Sequence, residues 1–105
     1  MSEFGKILQF DKLIHEPSRL AIMAVLASCE SADFAYMLTA TELSRGNLSA
    51  HIKKLSDGGY VDIKKTFKGN YPNTSYSLTN EGRKAFDAYR KQYFKVGKTL
   101  GEDKL

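Results

Sequence analysis

A chain of 105 residues, 42% hydrophobic and 27% charged, has the length of one folded domain, residues 1–105, and is too apolar to stay disordered. Its single cysteine, Cys29, excludes an internal disulfide, and two histidines leave few soft ligands for a metal. The short apolar runs and the opening Met1 to Lys6 argue against a membrane span or a secretory leader, so a cytoplasmic location is expected. The net charge of +4 is unevenly spread. Residues 1–43 set Lys6, Lys12 and Arg19 against Glu3, Asp11, Glu16, Glu30, Asp33 and Glu42. Residues 44–70 hold Arg45, Lys53, Lys54, Lys64, Lys65 and Lys68 against only Asp57 and Asp62. A polyanion is expected to meet this middle stretch, and secondarily the basic tail of residues 71–105.

Along the chain, Phe4, Ile7, Leu8, Asp11 and Ile14 fall at helical spacings, widened by Phe10 and Leu13, and predict an amphipathic helix over 4–15. Pro17 breaks it and suits the first turn of the next helix, Ser18 to Cys29, whose Leu20, Ile22, Met23, Val25 and Leu26 predict a core position. Asp33 can cap a short helix from Phe34 to Thr41, and Ser44 a second with apolar positions Leu48, Ile52 and Leu55, closed at Gly58 and Gly59. Alternation from Tyr60 to Lys64 predicts a strand. Gly69, Asn70, Pro72 and Asn73 predict a long basic hairpin tip, and Tyr76 and Leu78 the inward side of the returning strand. Thr79 can cap a last helix, 80–100, with a heptad-like seam of Gly82, Phe86, Tyr89, Tyr93, Val96 and Leu100; fraying is expected from Gly101 to Leu105.

The order is mainly helical with a β-hairpin. A short helix, a tight turn, a second helix and a hairpin make up a winged helix-turn-helix. The stretch from Ser44 to Leu55, then Gly59-Tyr60-Val61, and later Tyr76 to Arg83, resembles the small winged-helix transcriptional regulators of the MarR and ArsR type. His15 to Ile22 resembles the Pro-x-Arg start of their first core helix, so the resemblance spans about residues 10–95. It implies a homodimer on promoter DNA, with the helix from Arg45 in the major groove and the hairpin tip on the backbone.

The residues point the same way. With Leu48, Ile52 and Leu55 inward, the helix turns Gly46, Ala50, Lys53 and Lys54 outward, flanked by Asn47 and Ser49. Small residues permit close approach to a groove, Asn47 and Ser49 can bond base edges or phosphates, and Arg45 can reach guanine or phosphate. Lys65, Lys68 and Asn70, with Lys64 and Asn73, would suit the hairpin to contact phosphates or the minor groove. No arginine lies between Gly59 and Leu78, which counts against minor-groove reading by this hairpin. Cys29 reads as a core thiol with a redox role as the alternative, and His51 as a packed residue or a phosphate contact. His15, Cys29 and His51 are too scattered for a metal sensor, so no metal and no cofactor are expected; no nucleophile or phosphate-loop motif suggests an enzyme. Phe4, Ile7, Leu8, Phe86, Tyr89, Tyr93, Val96 and Leu100 are expected to form a two-fold dimer interface from the terminal helices. It would set two reading helices about 34 Å apart on a palindromic operator. The competing reading is a winged-helix protein-interaction module without DNA readout.

Overall fold

The computed structural model describes residue 2 and residues 4–101. A 3₁₀ helix, Phe4–Gln9, leads through a turn into α1, Pro17–Ala27; then come β1, Ala32–Asp33, α2, Phe34–Thr41, and α3, Arg45–Asp57. The strands β2, Val61–Lys68, and β3, Tyr71–Leu78, precede α4, Asn80–Leu100. Of the stretch expected to fray, Gly101 caps α4 by donating its amide to the Gly97 carbonyl at 2.8 Å, and residues 102–105 lie outside the described residues.

Three helix starts lie where their capping side chains predict them. The side chains of Asp33, Ser44 and Thr79 accept from the amides of Tyr36, Asn47 and Gly82, each satisfying a donor that the helix itself leaves open. Ile22, Met23 and Leu26 of α1 meet Met37 of α2 and Leu48, Ile52 and Leu55 of α3 in one core, roofed by Val61, Tyr76 and Leu78 from the sheet. The sheet has the order β1-β3-β2, all neighbours antiparallel, with β2 and β3 in register from Val61 opposite Leu78 to Lys68 opposite Tyr71. Residues 61, 63, 65 and 67 therefore share the core-side face with 72, 74, 76 and 78, and the even-numbered residues of β2 share the other face with 71, 73, 75 and 77.

Two glycines, Gly82 and Gly58, sit where the fold leaves no room for a side chain. A Cβ on Gly82 would lie 2.2 Å from the carbonyl oxygen of Tyr60, so α4 starts directly against the base of the hairpin. Thr79 secures that junction, its amide donating to the Tyr60 carbonyl at 3.0 Å and its hydroxyl to the Gly59 carbonyl at 2.6 Å. A Cβ on Gly58 would strike the Leu13 side chain at 2.2 Å, which brings the N-terminal segment against the end of α3.

Four expectations need correction. The predicted helix over 4–15 is a six-residue 3₁₀ helix followed by a turn. Asp11 causes the change: its carboxylate accepts from the amides of Leu13 and Ile14, closing a turn that competes with helix, while its other oxygen accepts from the Tyr60 hydroxyl. The folded-back segment then covers part of the expected dimer seam. Tyr89 and Val96 are only 2% and 4% exposed within one chain, Ile14 is fully buried, and Phe86 and Ile7 are half-buried against the core. The Phe10 ring meets Tyr89 edge-on at 5.4 Å, and His15 Nδ1 lies 2.7 Å from the Tyr89 hydroxyl. Phe4, Leu8, Tyr93 and Leu100 remain exposed, as does Phe94. The hairpin tip is short rather than long: Gly69-Asn70 alone turn the chain, while Pro72 and Asn73 belong to β3. Gly69 has φ 66°, as the first central residue of a type II′ turn requires. Finally, the polar interruption after α1 contains β1, which pairs with β3 only at Tyr76 and Ser75. At Pro72, β3 has a neighbour on one side alone, where a missing donor is tolerated.

The molecule measures 60 × 24 × 22 Å, and its radius of gyration of 15.8 Å exceeds the about 13 Å of a compact domain of this length. The 21-residue α4 accounts for this, since such a helix is about 30 Å long and outruns the core it starts on.

Candidate nucleic-acid interface

The helix pair α2 and α3 is joined by Glu42, Leu43 and Ser44. Glu42 sits at φ 59°, in the left-handed region, where its amide donates to the Leu38 carbonyl and ends α2 within one residue. Burial of Leu48, Ile52 and Leu55 then fixes the rotation of α3. Arg45, Gly46, Asn47, Ser49, Ala50, Lys53 and Lys54 are all exposed, as their spacing predicts.

The charges on this face differ in freedom. The Arg45 guanidinium lies 5.7 Å from the centroid of the Phe34 ring, held at the seam between α2 and α3. Lys53 pairs with Asp57 one turn on at 3.1 Å, but both side chains are largely exposed, so the pair is worth only about 0.3–0.5 kcal/mol and yields readily to a stronger anion. Lys54 is exposed beside it.

Behind the reading face, Arg19 acts as a clamp. Its Nε donates to the Leu13 carbonyl at 2.6 Å, and a terminal nitrogen lies 3.3 Å from His51 Nδ1 on α3. Glu16 accepts from the Arg19 amide at 2.8 Å and lies 3.9 Å from His51. Burial opposes ionisation of Glu16, but the Arg19 amide and the charges of His51 and Arg19 outweigh it and hold the carboxyl below its usual range. His51 is thereby a half-buried member of a polar cluster that ties α1 to α3. The Pro-x-Arg motif thus positions the reading helix; its role as a clamp was not readable from residue type alone.

The hairpin flanks α3. Lys65 projects from the core-side face and Lys64 and Lys68 from the other; Lys65, Lys68 and Asn70 are exposed. From Ile63 to Asn80 the chain has no acidic residue. A cleft of about 390 Å³ lined by Asp33, Phe34, Arg45, Pro72, Asn73 and Thr74 makes the start of α3 continuous with the outer hairpin. Two exposed aromatics, Phe67 and Tyr71, flank the turn. Sequence reasoning passed over both, although the Gly-Asn pair, a two-residue turn signal, would have placed them at the tip. Cys29 is half-buried at the end of α1, its thiol 3.4 Å from the Val25 carbonyl. Among the described residues no three His, Cys, Asp or Glu side chains gather as a metal site requires.

Against this geometry, the sequence model of the winged helix DNA-binding domain matches residues 18–95, from the start of α1 to the distal part of α4. The chain belongs to that family. An uncharacterized protein of Methanocaldococcus jannaschii is 33% identical over 89 residues, covering 85% of this winged-helix chain and 97% of the relative. The structure of a transcriptional regulator homologue from Pyrococcus horikoshii superposes with a TM-score of 0.86 at 26% identity, over 97% of this chain and all of the other. A protein of Enterococcus faecalis assigned to the MarR family of transcriptional regulators has a TM-score of 0.76 at 19% identity, over 95% of this chain and 89% of its own, a likeness of fold. The fold is therefore shared with regulators of the MarR and ArsR type, and the chain carries a winged helix DNA-binding domain. Among the described residues no helix is long and apolar enough to cross a membrane.

Proposed function

We propose that this winged-helix protein is a homodimeric, sequence-specific transcriptional regulator that inserts α3 into the major groove and rests the hairpin on the adjoining backbone. The observation that carries the reading is the exposed face of α3. Seven of its eight exposed residues are small, polar or basic, the eighth being Asp57 at its end in a pair with Lys53, and its three buried leucine and isoleucine side chains prevent any other rotation. Arg45, Asn47, Ser49 and Ala50 lie over the base edges, Lys53 and Lys54 meet phosphates, and Lys65, Lys68 and Asn70 extend the anionic contact along the hairpin. Phe4, Leu8, Tyr93 and Leu100, exposed on the side formed by the N-terminal segment and α4, supply the contact between two copies, which makes the preferred operator palindromic.

The test is selection of bound duplexes from a random pool, followed by anisotropy titration of the selected site at several salt concentrations. The parent protein binds with a negative slope of log affinity against log salt, and Lys54→Glu loses affinity and reduces that slope by about one while its thermal melt is unchanged. Binding of Lys54→Glu equal to the parent's removes α3 from the interface. Failure of the parent to enrich any duplex from the pool overturns the DNA reading and favours a protein-binding role for the same face.

A further inference from the structure

The hairpin tip carries more than charge. Phe67 is 76% exposed and Tyr71 78%, one on each side of the Gly69-Asn70 turn. The register puts them on opposite faces. Phe67, paired with Pro72, lies on the core-side face that runs through Thr74 and the cleft to Arg45; Tyr71 lies on the other with Lys64 and Lys68. The core cannot use the Phe67 ring, because burial on that face fades outward: Val61 is buried, Ile63 is 41% exposed and Phe67 nearly free. A ring held out on a two-stranded arm, beside three lysines and no acid, is matched to a partner that is anionic outside and offers flat apolar surfaces within. Stacked bases behind a phosphate rail have both properties.

We infer that Phe67 is an apolar wedge that enters the minor groove and partly unstacks a base step, with Tyr71 against the groove wall and Lys65 and Lys68 on the flanking phosphates. The inference rests on the duplex-binding reading of α3 and adds to it a means of selection by the hairpin. The minor groove of regular duplex is about 6 Å wide, too narrow for two strands bearing rings on both faces, so seating the tip opens the groove and kinks the duplex toward the major groove. Such a kink is least costly at pyrimidine–purine steps, which unstack easily. The hairpin then selects sequence through deformability, without an arginine and without hydrogen bonds to base edges.

Phe67→Ala and Phe67→Leu are compared with the parent and with Lys65→Ala/Lys68→Ala on a selected duplex, labelled at both ends for energy transfer and carrying 2-aminopurine at the flanking steps. Phe67→Ala weakens binding by about tenfold, the usual effect of removing one aromatic–base contact. It also straightens the duplex and abolishes the 2-aminopurine fluorescence rise, while the salt slope stays that of the parent because no cation is lost. Phe67→Leu, still an apolar wedge, keeps most of the bend. The double lysine variant flattens the salt slope instead. Parental bend and affinity in Phe67→Ala overturn the wedge while leaving the role of α3 standing. A lower sedimentation mass for Phe67→Ala without DNA also overturns it, by assigning the ring to contact between copies. A parent protein that binds no duplex fails the underlying reading, a different result from either. Because Phe67 is outside the core, all these variants keep the parental melting temperature; a lowered one in both Phe67 variants assigns the ring to folding and overturns the proposal.

Discussion

Replacing Gly82 by alanine tests the junction that orients the hairpin against α4. The added Cβ would stand 2.2 Å from the Tyr60 carbonyl oxygen and 3.0 Å from its Cα and carbonyl carbon, against 3.4 Å or more for ordinary contact, so the two backbones must part by about 1 Å. No flexible side chain is there to absorb the shift. Overpacking of this kind costs about 1–3 kcal/mol. Parting the backbones also loosens the 3.0 Å bond from the Thr79 amide to the Tyr60 carbonyl and the Thr79 cap on Gly82, worth about 1 kcal/mol each. Alanine's better helix propensity offsets about 1 kcal/mol. The expected loss is therefore about 2–4 kcal/mol. Gly97→Ala in the same helix is the control, because its new Cβ meets nothing within 4 Å and should stabilise by up to about 1 kcal/mol. Equilibrium urea unfolding at matched protein concentration reads both, with similar m-values. If Gly82→Ala shifts stability in the same direction as Gly97→Ala, the close approach of Gly82 to Tyr60 is refuted.

Gly46→Ala, whose Cβ also meets open space, should leave stability equal or raised by up to about 1 kcal/mol yet weaken duplex binding, because the methyl group stands between α3 and the groove; unchanged anisotropy titrations would remove Gly46 from the contact. Tyr60→Phe should cost about 1–2 kcal/mol by deleting the bond to the Asp11 carboxylate. Burial, that bond, the Asp11 charge and Glu81 push the Tyr60 hydroxyl up to about 12. Its contribution is thus full below the unfolded value of about 10 and lost as pH rises toward 12, a decline that urea melts should find diminished in the variant. Glu16 has the opposite sign: its folded carboxyl titrates below the usual range, so its contribution is full above about pH 4.3 and lost as pH falls through the depressed value. Glu16→Gln should show a smaller acid-induced loss in melts from pH 6 to about 3. Tyr93→Glu with Leu100→Glu places charges on exposed α4 positions and should yield a folded monomer by sedimentation with weakened affinity for a palindromic duplex; an unaltered mass would move the dimer contact elsewhere.

What could be read in the sequence was what local chemistry decides. Asp33, Ser44 and Thr79 each cap within three residues of themselves, so α2, α3 and α4 start where those side chains predict, and the inward triad of α3 follows from a single period. The N-terminal segment was misread because its apolar spacing is helical while Asp11 supplies a competing turn, and that turn is reinforced by Tyr60, far away in sequence. The same distance hid the covering of Tyr89 and Val96, since nothing near α4 announces that Phe10 and His15 return to it. The two-residue β1 forms only through its pairing with β3. At the interface, outward positions on α3 were legible from period and residue type, whereas the Arg19 clamp and the aromatic tip depend on long-range placement and on strand register.

The two-residue turn makes the arm adjustable only in discrete steps. Lengthening both strands by one residue each, leaving Gly69-Asn70 at the apex, would extend the reach by about 3.4 Å and also turn each tip ring to the opposite face. Two residues in each strand would restore the facing and add about 6.8 Å, close to two base-pair rises. Variation in hairpin length among chains built on this plan should therefore come in even increments per strand wherever the ring is kept. An odd increment should be accompanied by transfer of the aromatic residue to the neighbouring position, a covariation between a length and a residue type that can be sought in sequences alone.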